Sequence, residues 1–278
     1  MTTPVNQRKR NLAVAVLVVA VGVVLLLVVA GGMLVLRALT DDDKDQPVAA
    51  GPTVSAAVPA PAAVPAPATG SVREQQDALA EEPMFKLPPS AVEPQPLVAE
   101  TAGPTIVLPK AAQTVVVGGP PVATGFPQTP EGALAQLAAI EESALSSTDL
   151  QRIEEIYRWA AAPGAVELRQ WHPYSGISTF LEHVGDSGAG RTVSASYQVV
   201  QGQIKGQVGG DFVVACVLGE FAATLTVTER GGFGDCQRMS WNDGRWWIGA
   251  GSQPAQAPMA WPGSADAVRA GWRVVSRG

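Results

Sequence analysis

The chain has 278 residues and a formal net charge of −6, so it lacks the basic surplus that nonspecific nucleic-acid binding needs. Two histidines and two cysteines, with scattered carboxylates, offer no metal-ligand spacing, and no metal or other cofactor is expected. Apolar, proline and aromatic residues are unevenly spread along the chain and divide it into four parts.

Residues 1–11 form a short tail with Arg8, Lys9 and Arg10. Residues 12–36 are Leu, Val, Ala, Gly and Met without a charge. At about 1.5 Å per residue this run is long enough to cross the ~30 Å hydrocarbon layer of a membrane. A signal peptide is the competing reading, but its apolar part is about 7 to 15 residues and ends at a small-residue cleavage site, which Arg37-Ala38-Leu39-Thr40 does not resemble. The segment therefore reads as an uncleaved single-pass transmembrane helix in contact with membrane lipid. The basic residues ahead of it, against Arg37 and Lys44 behind it, place the N-terminus in the cytoplasm and the rest outside the cell membrane.

Residues 37–125 are rich in proline and alanine; 17 of the 23 prolines lie from Pro47 to Pro130. Missing backbone donors and fixed φ disfavour helix and sheet, which predicts a disordered extracytoplasmic linker. Residues 71–82 have the pattern of a transient polar helix, and 105–108 and 114–117 are short β-branched runs. The linker is either a plain spacer or a segment that docks on a partner.

Residues 126–278 hold all seven tryptophans, all three tyrosines and five of the six phenylalanines, enough for one extracytoplasmic domain with its own core. Thr129 followed by Pro130 and Glu131 predicts a helix start, and Thr148 with Gln151 a capping box opening a second helix. Pro163 and Gly164 end that helix, and a third is expected over 177–184. After Gly190 the period turns to two. Strands are expected over 192–208 and 211–228, joined at Gly209-Gly210, then over 235–241 and 245–248, joined by Asn242-Asp243-Gly244. In the second strand Val213, Ala215, Val217, Phe221, Leu225 and Val227 should face the core and the even positions solvent. The fold class is α+β, a curved antiparallel sheet with helices on one side, cone-like in outline.

Cys216 and Cys236 share a compartment that permits a disulfide. A turn at Gly231-Gly232 would set Cys236 opposite Val227 and leave buried thiols; a bridge needs a turn nearer Thr226, or a strand bent near Gly219 that brings Cys216 back. Gly185-Asp186-Ser187-Gly188 copies the letters around a serine nucleophile without the histidine and acid that chemistry requires, and Gly188-Ala189-Gly190-Arg191 lacks the lysine of a phosphate loop. Tyr157, His172, Asp211 and Glu220 are the residues a pocket of this fold would use as acid or base, but no spacing holds any two together. No catalytic residue is assigned and the chain reads as a non-enzyme. Alternation turns Trp247 away from Trp246 and Ile248, and Trp247 with Trp261 is the candidate partner surface.

The stretches Pro-Glu-Gly-Ala-Leu-Ala-Gln-Leu-Ala-Ala-Ile at 130–140, Cys-Gln-Arg-Met-Ser-Trp at 236–241 and Gly-Arg-Trp-Trp-Ile-Gly at 244–249, with Trp261-Pro262-Gly263, resemble actinobacterial membrane proteins encoded with conjugation genes. The Asp-Gly-Arg-Trp hairpin after long strands is similar to the close of the nuclear-transport-factor-two-like fold. The resemblance implies a bitopic scaffold subunit of a conjugation or type IV secretion machine. Its implied partners are other envelope-machine proteins and a second copy of itself. An extracytoplasmic ligand- or cell-wall-binding module on a membrane tether is the alternative.

Overall fold

The computed structural model describes residues 70–187 and 193–278. The expected span over 12–36 and the first part of the linker lie outside them. Among the described residues no helix is long and apolar enough to cross a membrane.

In chain order the elements are α1 (Val72–Glu81), β1 (Ile106–Leu108), β2 (Gln113–Val116), β3 (Pro121–Thr124), α2 (Pro130–Leu145), α3 (Leu150–Ala160) and α4 (His172–Ser187). There follow β4 (Ser194–Val208), β5 (Phe212–Thr224), β6 (Thr228–Asn242), β7 (Arg245–Ile248), α5 (Ala265–Arg269) and β8 (Arg273–Arg277). Six strands form one sheet in the order β1-β8-β4-β5-β6-β7, antiparallel except for the parallel β1–β8 pair. The β2–β3 hairpin stands apart. Register shifts at Val199/Gln201 and Ile204/Gly206 bend β4, as bulges do, and the sheet curls into a half-barrel with the main helices to one side.

Turn chemistry sets the meander. Gly209 (φ +66°) joins β4 to β5, and Asp243 (φ +50°) with Gly244 (φ +77°) joins β6 to β7. Between β5 and β6 the chain turns at 225–227, the placement near Thr226 that a disulfide requires, and not at Gly231-Gly232, so both strands run further than expected and pair from Phe212↔Ser240 to Thr224↔Thr228. Leu225 and Val227, expected in the core, lie in that turn.

On the concave face α2 starts at Thr129, whose side chain accepts from Gly132 N, with Pro130 at the first helical position. Its Ala133, Leu134, Leu137, Ala138, Ile140 and Ala144 are fully buried, packed in one cluster with Val213, Ala215 and Val217 of β5. Gly202 permits this approach, since a Cβ there would lie 2.8 Å from Leu134 Cδ2. The α3 cap is Asp149, whose Oδ1 accepts from Gln151 N at 2.9 Å; Thr148, expected to serve, instead donates to Val193 O at 3.4 Å. A carboxylate is the stronger acceptor beside a helix N-terminus. The third helix exceeds its expected 177–184 span, beginning at His172 with Pro173 in its first turn.

The convex face is covered too, which a one-sided alternation did not anticipate. Phe212, Val214, Cys216 and Leu218 are buried there, under Ala80, the half-buried Met84 and Leu87, and then Ala257, Ala260, Ala267 and Trp272. Two-sided burial fits the nearly unbroken apolar run from Phe212 to Leu218.

The cover includes chain that proline content had assigned to the linker. Ser71 and Glu74 form a full capping box on α1, and Ala80 is wholly buried against β5. Ala80 O accepts from Ala255 N at 2.9 Å and from Lys205 Nζ at 3.1 Å, Ala91 O accepts from Trp261 N at 2.6 Å, and Gly263 O accepts from Val98 N at 2.9 Å. The predicted spacer over 37–125 is thus shorter: from residue 70 the chain is a strap on the sheet. Proline does not forbid this, because the strap is held mainly by its carbonyls and small apolar side chains and adds no strand to the convex face.

Candidate functional site

Burial of polar groups has a cost unless they are paired, so a polar cluster inside an apolar layer marks the place to look. Such a cluster lies on the concave face. The pleat of β6 aims Asp235 and Gln237 inward, opposite Val217 and Ala215 of β5. Helix α2 brings Glu141, the first residue of α4 brings His172, and the segment after β7 brings Gln253.

Asp235 is 1% exposed, and its Oδ1 lies 2.7 Å from His172 Nδ1. Gln237 Nε2 donates to Oδ2 at 2.6 Å, while Gln253 Nε2 donates to Oδ1 at 3.3 Å and to Cys236 O at 3.1 Å. Glu141 is fully buried, no donor reaches either of its oxygens, and its hydrogen-bonding neighbour is the Asp235 carboxyl, so the two can bond only by sharing a proton; Gln253 Oε1 and Trp171 Nε1 are unpaired. Tyr197 closes one side, donating to Phe233 O at 3.0 Å. His172 retains 28% side-chain exposure and links this interior to solvent.

The charges follow from the surroundings. Burial first, and then the negative charge of Asp235, push the Glu141 carboxyl well above the usual carboxylate range. Burial also acts to raise Asp235, but the His172 charge and the hydrogen bonds around it prevail and hold it below its ordinary value. Burial alone would lower His172; the Asp235 charge and bond raise it instead. Tyr197 is pushed well up by burial and then by Glu141 and Asp235. The surroundings therefore favour the protonated form of Glu141 and the charged forms of Asp235 and His172. The cluster can orient an imidazole and store a proton. Among the described residues no group of three or more His, Cys, Asp or Glu could hold a metal ion.

Of the four acid–base candidates named from sequence, only His172 lies in this cluster. Tyr157 sits in the core and donates to Val166 O, Asp211 is exposed in the β4–β5 turn, and Glu220 pairs with Arg230 at the surface. Sequence reading missed Glu141 and Asp235. Glu141 stands beside Glu142 on a helix, where either residue could face in. Asp235 was masked by taking it as the start of a strand when it lies mid-strand.

The remaining sites lie apart from the cluster. Cys216 and Cys236 are directly paired residues on the convex face, with Cα atoms 4.0 Å apart, and form a disulfide. Met84 Sδ lies 3.4 Å from Cys236 Sγ. Trp247 is half-buried on edge strand β7: the Arg245 guanidinium lies 3.3 Å over its ring and 4.8 Å from the Trp159 ring, and donates to Trp159 O at 2.7 Å. Trp261 is half-buried and bonded to the strap through its backbone. The structure does not bring Trp247 and Trp261 into contact through any ring pair. No protein-family model, curated protein or solved structure matches the chain.

Proposed function

We propose that the chain is a non-catalytic assembly subunit of a conjugation or type IV secretion-like cell-envelope machine. Residues 12–36 anchor it in the cell membrane, and the folded part stands on the extracytoplasmic side. The observation that carries this reading is the filling of the curled sheet. Side chains of α2 occupy its concave face and the strap with residues 257–272 occupies its convex face, so both faces of the sheet are covered by the chain's own residues. A hollow cone would favour a ligand binder. The cone-like, nuclear-transport-factor-two-like description suits the half-barrel and its helices, and the disulfide suits an oxidising compartment.

The face offered to partners is the β7 edge, where Trp159, Arg245 and Trp247 make a rigid aromatic and cationic surface. A photo-crosslinker placed at position 247 of the full-length chain in its native membrane should trap transfer ATPase or membrane-channel subunits, and Arg245→Ala should weaken that product. Recovery of no envelope-machine protein would refute the proposal. A melting shift on adding soluble cell-wall fragments would support the ligand-binding alternative instead.

A further inference from the structure

We infer that Glu141, Asp235 and His172 form a proton-operated latch that holds the first turn of α4 against β6 and releases it as pH rises. The three groups come from three elements, α2, β6 and α4. His172 is the residue through which α4 meets the polar interior: its Nδ1 lies 2.7 Å from Asp235, and its carbonyl and that of Trp171 accept from Ser175 in the first turn.

The arrangement has places for one negative charge and one positive charge. Asp235 accepts from His172, Gln237 and Gln253, whereas no donor reaches Glu141, whose neighbour is the Asp235 carboxyl; a bond between the two acids needs a proton on Glu141. Among the described residues, His172 is the one cation acting on the two carboxyls. Glu142, next in sequence, is occupied by Arg277 at 2.5 Å and Val199 N at 2.9 Å, and Tyr197 by Phe233 O.

Raising the pH takes protons from Glu141 and His172. What remains is two buried carboxylates beside a neutral imidazole, a state relieved by lifting the turn that carries His172 and admitting water. Both groups titrate above their ordinary values when folded. Their stabilisation is therefore complete below the unfolded values, about 4.3 and 6.5, and is lost as pH rises through the folded ones. Asp235, held low, sets the opposite limb: its contribution is lost only as pH falls below the usual carboxylate range.

Hydrogen exchange of the full-length chain in lipid nanodiscs, corrected for intrinsic pH dependence, reads the latch directly. Protection over residues 172–180, relative to β5, should be higher at pH 5.5 than at pH 8.5, because both Glu141 and His172 are held above their ordinary values when folded. Glu141→Gln should flatten that dependence, and Asp235→Asn should remove the protection at both pH values. Equal wild-type protection at the two pH values would overturn the proposal, as would a Glu141→Gln profile matching wild type. If either variant fails to fold, the wild-type comparison still decides.

Discussion

Arg238 Nη1 lies 2.6 Å from Asp77 Oδ1, joining the middle of β6 to the strap helix α1. The guanidinium is 2% exposed, and its Nε is also spoken for by Ser252 O at 2.9 Å. Asp77→Ala leaves that buried cation short of its counter-charge. Breaking a fully buried pair costs about 3–5 kcal/mol; because the Asp77 side chain is 37% exposed, a loss of about 1–3 kcal/mol is expected. The Arg238 hydrogen bond holds Asp77 below its ordinary value, so this contribution is present at neutral pH and disappears as pH falls through the lowered value. Urea titrations of wild type and variant should differ at pH 7, and the difference should shrink as pH falls below the usual carboxylate range.

The disulfide closes a chain segment with a sequence separation of 20. Loop-closure entropy for that length is worth about 3 kcal/mol, and the already paired strands should reduce the observed effect to roughly 2 kcal/mol. Thermal scans with and without a dithiol reductant should show a midpoint several degrees lower after reduction. An unchanged midpoint would mean that the β5–β6 ladder and Met84 hold the pair unaided.

Two nearby glycines on β6 should respond differently to alanine. At Gly232 a Cβ would stand 1.7 Å from Ala260 O and 2.4 Å from its carbonyl carbon, backbone atoms that cannot yield cheaply. At Gly234 the nearest atom would be Trp272 Cζ2 at 3.4 Å, ordinary contact. Gly232→Ala should cost about 2–4 kcal/mol by unseating residues 257–272, and Gly234→Ala less than about 1 kcal/mol. Denaturant midpoints of the two variants against wild type check this.

What the sequence made legible was local. Thr129-Pro130-Glu131 marked the start of α2, and Asn242-Asp243-Gly244 marked the β6–β7 hairpin, because caps and tight turns are written in adjacent residues. The β5–β6 turn stayed open between two positions because Gly231 and Gly232 signal a bend, while here both lie within a strand and Gly232 is a close-approach site for Ala260. The strap was legible only in part: residues 71–82 carry a helix pattern and 105–108 and 114–117 are β-branched runs, but its prolines argued against order and its burial depends on Phe212 and Val214, far along the chain. The polar cluster was hidden for the same reason. Glu141, His172 and Asp235 meet only after the sheet has curled, and no spacing among them announces it.

The strap has a mechanical meaning. Any pull on the chain from before residue 70 enters at α1 and is borne first by Asp77–Arg238, by Lys205 on the α1 carbonyls and by the Ala255–Ala80 bond. These attach to β4, to β6 and to the segment after β7, so load would be shared across the sheet's convex face before it could peel β1 from β8. The domain would resist traction as a stitched plate does, and the first event under force would be detachment of α1, with the disulfide-crosslinked strands still intact.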